Sequence, residues 1–330
     1  MKTGFRYLGL ACVLTVAPWG SALAQPAGAP QAYPTHAIRW ILPGAPGSPP
    51  DVAARIVGVP LALALGQPVI VDNRPGASGT IALAAVAKAA PDGYTFGMLS
   101  MPQAAAPALY PQLPYDTDRD LAPVAQLVWN LSLLVVRSGI PVRSVNELIA
   151  AAKAKPGQLT FASVGNGSLP HIAGELFRQR AGIDIRHIPF KSGPPAFAAL
   201  MGDQVDMFIS GASTVSTGIL SGKLRALATV SPSRLAAFPE VPTMAEAGLK
   251  GIEMRDWFAM TAAASVPGNI IERMAAEIRK AIALSEVGAR LRAIGMEPVL
   301  DSTPEQARAL VRSELQRWAA VVREAGIRAD

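Results

Sequence analysis

The feature that most constrains the fold is a regular alternation of short apolar runs with helical stretches. It begins with the apolar run AIRWIL, the turn PGAPGSPP and the helical stretch DVAARIVGVPLALAL. Further apolar runs are PVIVDN, TFGMLS, LSLLVVR, LTFASV, IDIRHIPF, VDMFIS and LRALATVS. Strands that alternate with helices predict an α/β protein with mostly parallel sheets. The 330 residues are enough for two such domains, each with its own core.

Local capping signals predict where several helices begin. SVNELIAAAKAKPG opens with Ser144 as an N-cap, and TPEQARALVRSELQRWAAVVREAG has Thr303 as an N-cap with Gln306 three residues later. The stretch PGNIIERMAAEIRKAIAL is a second strong helix prediction near the C-terminus, and TMAEAG is predicted as a short helix.

The first 24 residues read as a signal peptide and not as part of the fold. Basic residues precede an apolar run over residues 7–17, and an Ala22-x-Ala24 cleavage site follows. The alternative is a membrane anchor, but Pro18 breaks the run well short of the roughly 20 residues that a span needs. We therefore expect export, cleavage near Ala24 and no membrane span in the mature chain.

Cysteine usage and charge exclude several classes of function. The only cysteine, Cys12, lies in the signal segment, so the mature chain has no disulfide, no thiolate nucleophile and no Cys-bound metal. The formal net charge is +6, of which Lys2 and Arg6 contribute two, and the remaining basic residues are scattered. A nucleic-acid-binding protein would concentrate them in a stripe, so no nucleic-acid partner is expected.

Four turns at predicted strand ends are the candidate ligand-binding segments. Ligands of open α/β sheets bind beyond the carboxyl ends of strands and against helix N-termini. The segments that meet this criterion are Pro43–Asp51, Arg74–Thr80, Ser100–Gln103 and Ser163–His171.

The first of these turns does not match a nucleotide-binding loop. It has neither the lysine of a Walker A motif nor the third glycine of G-x-G-x-x-G. Two interpretations of SPPD stay open together. Ser48 and Asp51 can form a capping box, and the backbone of Ala45, Gly47 and Ser48 can donate to a ligand carboxylate at the positive helix end.

The turn SVGNGSLPH allows both a ligand-binding and a structural interpretation. Gly165 and Gly167 let a ligand approach the backbone closely, and the side chains of Asn166 and Ser168 can donate and accept hydrogen bonds. Ser168 can equally be only an N-cap. His171 can contact a carboxylate, or it can be a buried structural histidine.

Motifs of enzymes and metal sites are absent from the sequence. There is no G-x-S-x-G elbow and no H-E-x-x-H, and the three histidines share no metal-ligand spacing. We therefore expect a binding protein with no catalytic residue, no cofactor and no metal. A secreted hydrolase that assembles its site from distant segments, with Ser168 as the nucleophile, is a less favoured alternative.

Several blocks together resemble one known family. They include YPTHAIRWILPGAPGSPPDVAAR, GQPVIVDNRPGASGTIALAAVAKAAPDGYTF, KPGQLTFASVGNGSLPHIAGELF, IPFKSGPPAFAALMGDQVDMF and FPEVPTMAEAG. In this order they resemble the periplasmic solute receptors of tripartite tricarboxylate transport systems, called the Bug family. The resemblance runs from about Tyr33 to the C-terminus.

The resemblance implies a periplasmic-binding-protein (Venus-flytrap) fold with two domains. Domain one would hold residues 33–128 plus 252–330, and domain two would hold residues 129–251. The implied ligand is a small organic carboxylate or a related amide, bound in the cleft and delivered to membrane permease subunits by a monomeric receptor. A sensory receptor that presents its solute to a signalling partner is the alternative.

The resemblance also implies a set of ligand-binding residues in both domains. They are Ala45, Pro46, Gly47, Ser48, Asp51, Ser100, Ser163, Gly165, Asn166, Gly167, Ser168, His171 and Ser210. The chain departs from the family pattern in its first loop, where Ser48 replaces a glycine and Pro50 replaces a threonine. Ser210 stands near the position of a family aspartate. These departures bear on the choice of ligand and not on the fold.

Overall fold

The structure is a computed structural model that describes Met1 and residues 33–110 and 112–325. The predicted signal peptide therefore lies outside the described residues apart from Met1. Among the described residues, no helix combines the length and the apolar composition of a membrane span.

Eleven strands and ten α-helices follow one another along the described chain. The strands are β1 (Ile38–Leu42), β2 (Val69–Asn73), β3 (Thr95–Leu99), β4 (Leu121–Asn130), β5 (Ser132–Arg137), β6 (Thr160–Ser163), β7 (Arg186–Pro189), β8 (Met207–Gly211), β9 (Leu224–Thr229), β10 (Asp256–Ala263) and β11 (Met296–Pro298). The helices are α1 (Pro49–Leu65), α2 (Thr80–Ala87), α3 (Met101–Leu109), α4 (Val145–Ala154), α5 (Leu169–Ala181), α6 (Gly193–Met201), α7 (Ala212–Leu220), α8 (Gly268–Ala283), α9 (Ser285–Ala293) and α10 (Pro304–Ala325).

The strands form two separate sheets. The first has six strands in the order β11-β4-β10-β3-β1-β2, and the second has five in the order β7-β6-β8-β5-β9. We call the first sheet with its helices lobe one and the second sheet with its helices lobe two. The chain passes from lobe one to lobe two between Asn130 and Ser132, and it returns before Asp256. This topology confirms the predicted α/β architecture of two sheets flanked by helices.

The expectation of mostly parallel sheets is wrong, because both sheets are mixed. In lobe one, β1 runs parallel to β2 and β3, whereas β10 is antiparallel to β3 and β4, and β11 is antiparallel to β4. In lobe two, β6 runs parallel to β7 and β8, whereas β5 is antiparallel to β8 and β9. The prediction did not include β4, so the largest antiparallel pairing was missed.

The burial of the central strands explains why their apolar runs are nearly continuous in the sequence. Every residue of β10 is buried, and β4 and β5 are buried at all but one position each. A strand that is covered on both faces shows no polar alternation. The buried indole of Trp40 still satisfies its N–H, which donates to the Gly97 carbonyl at 3.1 Å.

Three of the four local helix predictions are confirmed. The stretch PGNIIERMAAEIRKAIAL forms α8 over Gly268–Ala283. The Ser144 hydroxyl accepts from the Glu147 N–H at 3.2 Å. Thr303 and Gln306 form the complete capping box, with bonds of 2.9 and 3.2 Å. The short helix predicted at residues 243–248 is wrong, because that segment forms only turns, although Thr243 caps it from the N-terminal side.

Candidate functional site

A cavity of about 680 Å³ lies between the two lobes. All four turns singled out in the sequence contribute to its wall. A fifth segment, 189–193, contributes as well, at the end of β7. The cavity therefore occupies the carboxyl ends of strands from both sheets, as ligand sites of open α/β sheets do.

Five helices begin at this cavity, and their N-termini give it a positive electrostatic potential. They are α1, α3, α5, α6 and α7, three of them from lobe two. A helix N-terminus presents unpaired N–H groups and roughly half a positive charge. Of the described residues that line the cavity, Lys191 alone carries a positive side chain, and it is exposed at the rim. The wall is suited to an anionic group.

Four of these helix starts share one sequence pattern. Each has a serine N-cap followed two residues later by proline: Ser48 with Pro50, Ser100 with Pro102, Ser168 with Pro170, and Ser192 with Pro194. Ser48, Ser168 and Ser192 make no side-chain cap hydrogen bond within their own helix. Because proline has no N–H, only the other residues of these first turns leave backbone donors that their own serines do not satisfy.

The capping box predicted for α1 does not form. Ser48 is the N-cap with extended backbone, but its hydroxyl is buried and has no hydrogen-bond partner among the described residues. Asp51 reaches one residue further back and accepts from the Gly47 N–H at 2.9 Å. The Ser48 N–H donates to the Ala45 carbonyl at 3.0 Å. The backbone donors of Gly47 and Ser48 are thus engaged within the loop and are not offered to a ligand.

Asp51 holds the first loop in place from behind the cavity. Its carboxylate accepts from Arg55 at 3.0 Å and from Asn73 at 3.0 Å, and Asn73 also donates to the Gly44 carbonyl at 2.9 Å. Burial alone would raise the pKa of Asp51, but the bonds from Arg55, Gly47 and Asn73 keep it below its ordinary value. Asp51 is therefore a charged positioning residue for the loop.

In lobe two, Ser163 and His171 likewise lie behind the loop and not in the cavity wall. The Ser163 hydroxyl and His187 Nε2 are 2.6 Å apart, and His171 Nδ1 accepts from the Gly167 N–H at 3.1 Å. The rings of His171 and His187 stack at 4.4 Å. Burial, with the charge of His171 second, lowers the pKa of His187 to about 4, so it is neutral at pH 7. This serine–histidine contact is part-buried and lies outside the cavity wall, so we assign it a structural role.

The two lobes touch across the mouth of the cavity. The Ser78 hydroxyl of lobe one donates to the backbone carbonyl of Asn166 in lobe two at 2.7 Å. Tyr110 reaches the same carbonyl at 3.3 Å. Ser78 has a positive φ of 51°, and the Gln103 side chain holds its carbonyl at 2.6 Å. These contacts close the cleft on one side.

Asn130, Ser132 and Asp256 form a polar part of the wall where the chain passes between the lobes, and we call these three residues the crossover wall. All three are buried and line the cavity. Asn130 Nδ2 donates to Asp256 at 3.1 Å, while Asn130 Oδ1 and the Ser132 hydroxyl have no hydrogen-bond partner among the described residues. Burial raises the pKa of Asp256 to about 6, against the opposing effect of its hydrogen bonds.

Comparison with known proteins decides the family. Residues 53–327 match the family model described as tripartite tricarboxylate transporter family receptor. The chain belongs to this family. The resemblance inferred from the sequence blocks is thereby confirmed, and the family is one of solute receptors and not of enzymes.

Similar proteins align with almost the whole length of this chain. Protein BugT of Bordetella pertussis is 40% identical over 308 residues, which is 93% of this chain and 94% of BugT. An R. palustris protein solved with adipate has a TM-score of 0.85 and 31% identity, and the match covers 90% of this chain and 99% of that one. MatC from Rhodopseudomonas palustris with bound malate has a TM-score of 0.83 and 32% identity, covering 88% and 100%.

The receptor brings together only part of the predicted ligand set. The predicted residues in the cavity wall are Ala45, Ser48, Ser100, Gly165, Asn166, Ser168 and Ser210. Those outside it are Pro46, Gly47, Asp51, Ser163, Gly167 and His171. The second set positions the loops that carry the first, as the hydrogen bonds of Asp51, Ser163 and His171 show. For both sets, contact with a bound ligand remains a prediction.

Sequence reasoning missed two parts of the cavity wall. The segment around Lys191 carries the same serine–proline pattern as the other helix starts, so this signal was available in KSGPP. The crossover wall offered no such signal, because Asn130 and Asp256 are 126 residues apart. Only the pairing of β4 with β10 places these two residues side by side.

Proposed function

We propose that this chain is an exported receptor that binds a small organic carboxylate, or a related amide, in the cavity between its two lobes. The observation that carries the proposal is the convergence of five helix N-termini on one cavity. Such termini bind carboxylates through backbone N–H groups and the helix dipole. The adipate and malate bound by two solved relatives support the same ligand class.

The receptor acts by closing two domains over its ligand. We take residues 33–128 plus 252–330 as one domain and residues 129–251 as the other, and the chain crosses between the two lobes next to Asn130 and before Asp256. Hinge closure around a ligand needs few flexible positions, and the two connections supply them. Closure excludes water from the cavity, which strengthens each hydrogen bond to the carboxylate.

The receptor is delivered to the periplasm by the signal peptide of residues 1–24. There it presents its ligand to the permease subunits of a tripartite tricarboxylate-type transporter. The family to which the chain belongs supports this partner.

Calorimetric titration tests the proposed function. The mature protein, from residue 25 onward, is titrated with linear dicarboxylates, hydroxydicarboxylates, aromatic carboxylates and their amides. At least one carboxylate is expected to bind, and at a concentration of 100 Kd it should raise the unfolding free energy by about 2.7 kcal/mol. Amines without a carboxylate serve as the control and should not bind. Absence of binding across all carboxylates and amides would overturn the proposal.

A further inference from the structure

We propose that the crossover wall receives a nitrogen that carries at least two N–H groups, an ammonium or a primary amide, at one end of the ligand. The ligand class is then an amino- or amido-carboxylate and not a dicarboxylate. This inference rests on the proposed function, because the carboxylate at the other end of the ligand is the group that the helix N-termini bind.

The hydrogen bonds of Asp256 leave one acceptor position unused. Asp256 Oδ1 accepts from the backbone N–H groups of Met101 at 3.2 Å and Trp257 at 2.9 Å. Asp256 Oδ2 accepts only from Asn130 Nδ2, at 3.1 Å. Each carboxylate oxygen has two acceptor positions, so Oδ2 retains one.

The neighbouring amide adds a second acceptor. Asn130 Oδ1 is buried without a hydrogen-bond partner among the described residues. It belongs to the same side chain that donates to Asp256, and both residues line the cavity. Two adjacent acceptors match a group with two N–H donors. A ligand carboxylate placed there would turn its own acceptor oxygens toward these two oxygens. Both acceptors of the wall would then stay unsatisfied.

The charges around Asp256 favour the same group. Asp256 is 6% exposed, and none of the ion pairs among the described residues involves it. Glu314, the charged group whose field acts on it, is also acidic. A buried carboxylate without a cation is costly, and a ligand ammonium would supply the missing positive charge. The raised pKa of Asp256 reflects this imbalance, since burial disfavours its ionised form.

A purely structural role for Asp256 is the competing explanation. Its bond to the Met101 N–H satisfies a donor at the start of α3, as a capping residue would. That role predicts a change in stability when Asp256 is replaced, and it predicts no change in which ligands bind. Ligand selectivity therefore separates the two explanations.

The first experiment measures selectivity in the unaltered protein at pH 7.5. Titrations compare three series of matched chain length from four to six carbons: α,ω-dicarboxylates, their monoamides, and ω-amino acids. At least one nitrogen-bearing series is expected to bind about tenfold or more tightly than the dicarboxylate of the same length, because a buried acceptor left unpaired penalises the wrong ligand. Equal or tighter binding of the dicarboxylates overturns the inference and leaves the proposed function intact.

The second experiment assigns the selectivity to Asp256. Asp256→Asn removes the charge at constant size, and it is expected to weaken the ω-amino acids by about tenfold while the dicarboxylates are unchanged or improved. Asp203→Asn is the matched control, because Asp203 is exposed outside the cavity wall and has a positive φ of 60° that asparagine tolerates. An unchanged preference in Asp256→Asn overturns the assignment. If no carboxylate of any series binds, the proposed function fails, and this inference fails with it.

Discussion

Two buried aspartates of this chain are stabilised to very different degrees. Asp51 receives donors from Gly47, Arg55 and Asn73, and its pKa is lowered. Asp256 receives only neutral donors, and burial raises its pKa to about 6. Ionised Asp51 is thus stabilised by its donors and holds a loop, whereas the ionised form of Asp256 is destabilised by burial in the crossover wall.

The raised pKa of Asp256 predicts how stability depends on pH. The pKa of Asp256 is 3.8 in the unfolded chain and about 6 in the folded protein. Its ionisation therefore lowers the unfolding free energy as the pH rises through this interval. Asp256→Asn removes this penalty, so relative to the unaltered protein it should gain on the order of 2 kcal/mol between pH 4 and pH 7.5. Urea denaturation of the ligand-free proteins at both pH values measures the difference. A difference that does not change with pH would contradict the raised pKa.

Replacing Asp51 tests whether a residue outside the cavity wall controls binding. Asp51→Ala leaves the Gly47 N–H without its acceptor and removes one of the two acceptors of the Asn73 amide, which should lower the unfolding free energy by about 1–3 kcal/mol. Ligand affinity should fall as well, because the first loop loses its anchor. Asp118→Ala, which breaks only an exposed pair with Arg312, is the control and should change stability by less than about 0.5 kcal/mol. Unchanged affinity in Asp51→Ala would exclude a positioning role.

At the scale of elements, the sequence predicts the helices and turns that depend on local signals. It does not predict the features that depend on the pairing of distant strands. Ser144 and Thr303 begin helices as predicted, since an N-cap acts within one turn. The strand β4 carries no polar alternation, because both of its faces are covered, and it was not predicted. The cavity wall follows the same rule: the starts of α1, α3 and α5 were predicted from local patterns, and the crossover wall was not.

The capping box of α10 gives a test at this scale. Thr303→Ala removes the hydroxyl that accepts from the Gln306 N–H at 3.2 Å, and it should lower the unfolding free energy by about 1 kcal/mol. Thr303→Ser keeps the hydroxyl and should retain most of the stability. Equal stability of the two variants in chemical denaturation would show that the cap contributes nothing. Ligand affinity should be unchanged in both, because residue 303 is not in the cavity wall.

At the scale of the whole molecule, one backbone carbonyl of lobe two receives two hydrogen bonds from lobe one. Asn166 accepts from Ser78 and Tyr110, both from the opposite lobe. The neighbouring Gly167 faces Leu109 so closely that a Cβ there would lie 3.0 Å from it. The closed arrangement therefore depends on close approach of backbone to side chain. Sequence could not predict it, because Ser78 and Asn166 are 88 residues apart.

Removing the Ser78 hydroxyl should weaken ligand capture without weakening the fold. Ser78→Ala loses the bond of 2.7 Å to Asn166, and a hydrogen bond worth about 1 kcal/mol corresponds to a roughly fivefold loss of affinity. The loss should appear mainly as faster dissociation, measured by stopped-flow or surface plasmon resonance. Ser313→Ala, on the exposed side of α10, is the control. Dissociation rates that match in both variants would show that this contact does not hold the closed form.

The prolines that follow the serine N-caps bear on the thermodynamics of capture. A pyrrolidine ring fixes φ near −65°, so the first turn of four of the helices around the cavity is already restricted before a ligand arrives. Ordering entropy is a major cost of association, and a wall that is rigid beforehand avoids part of it. The entropy lost on binding should then come mainly from lobe movement, and little of it from the loops. The same rigidity makes the wall slow to adapt, so ligands that differ by one methylene should be distinguished by shape.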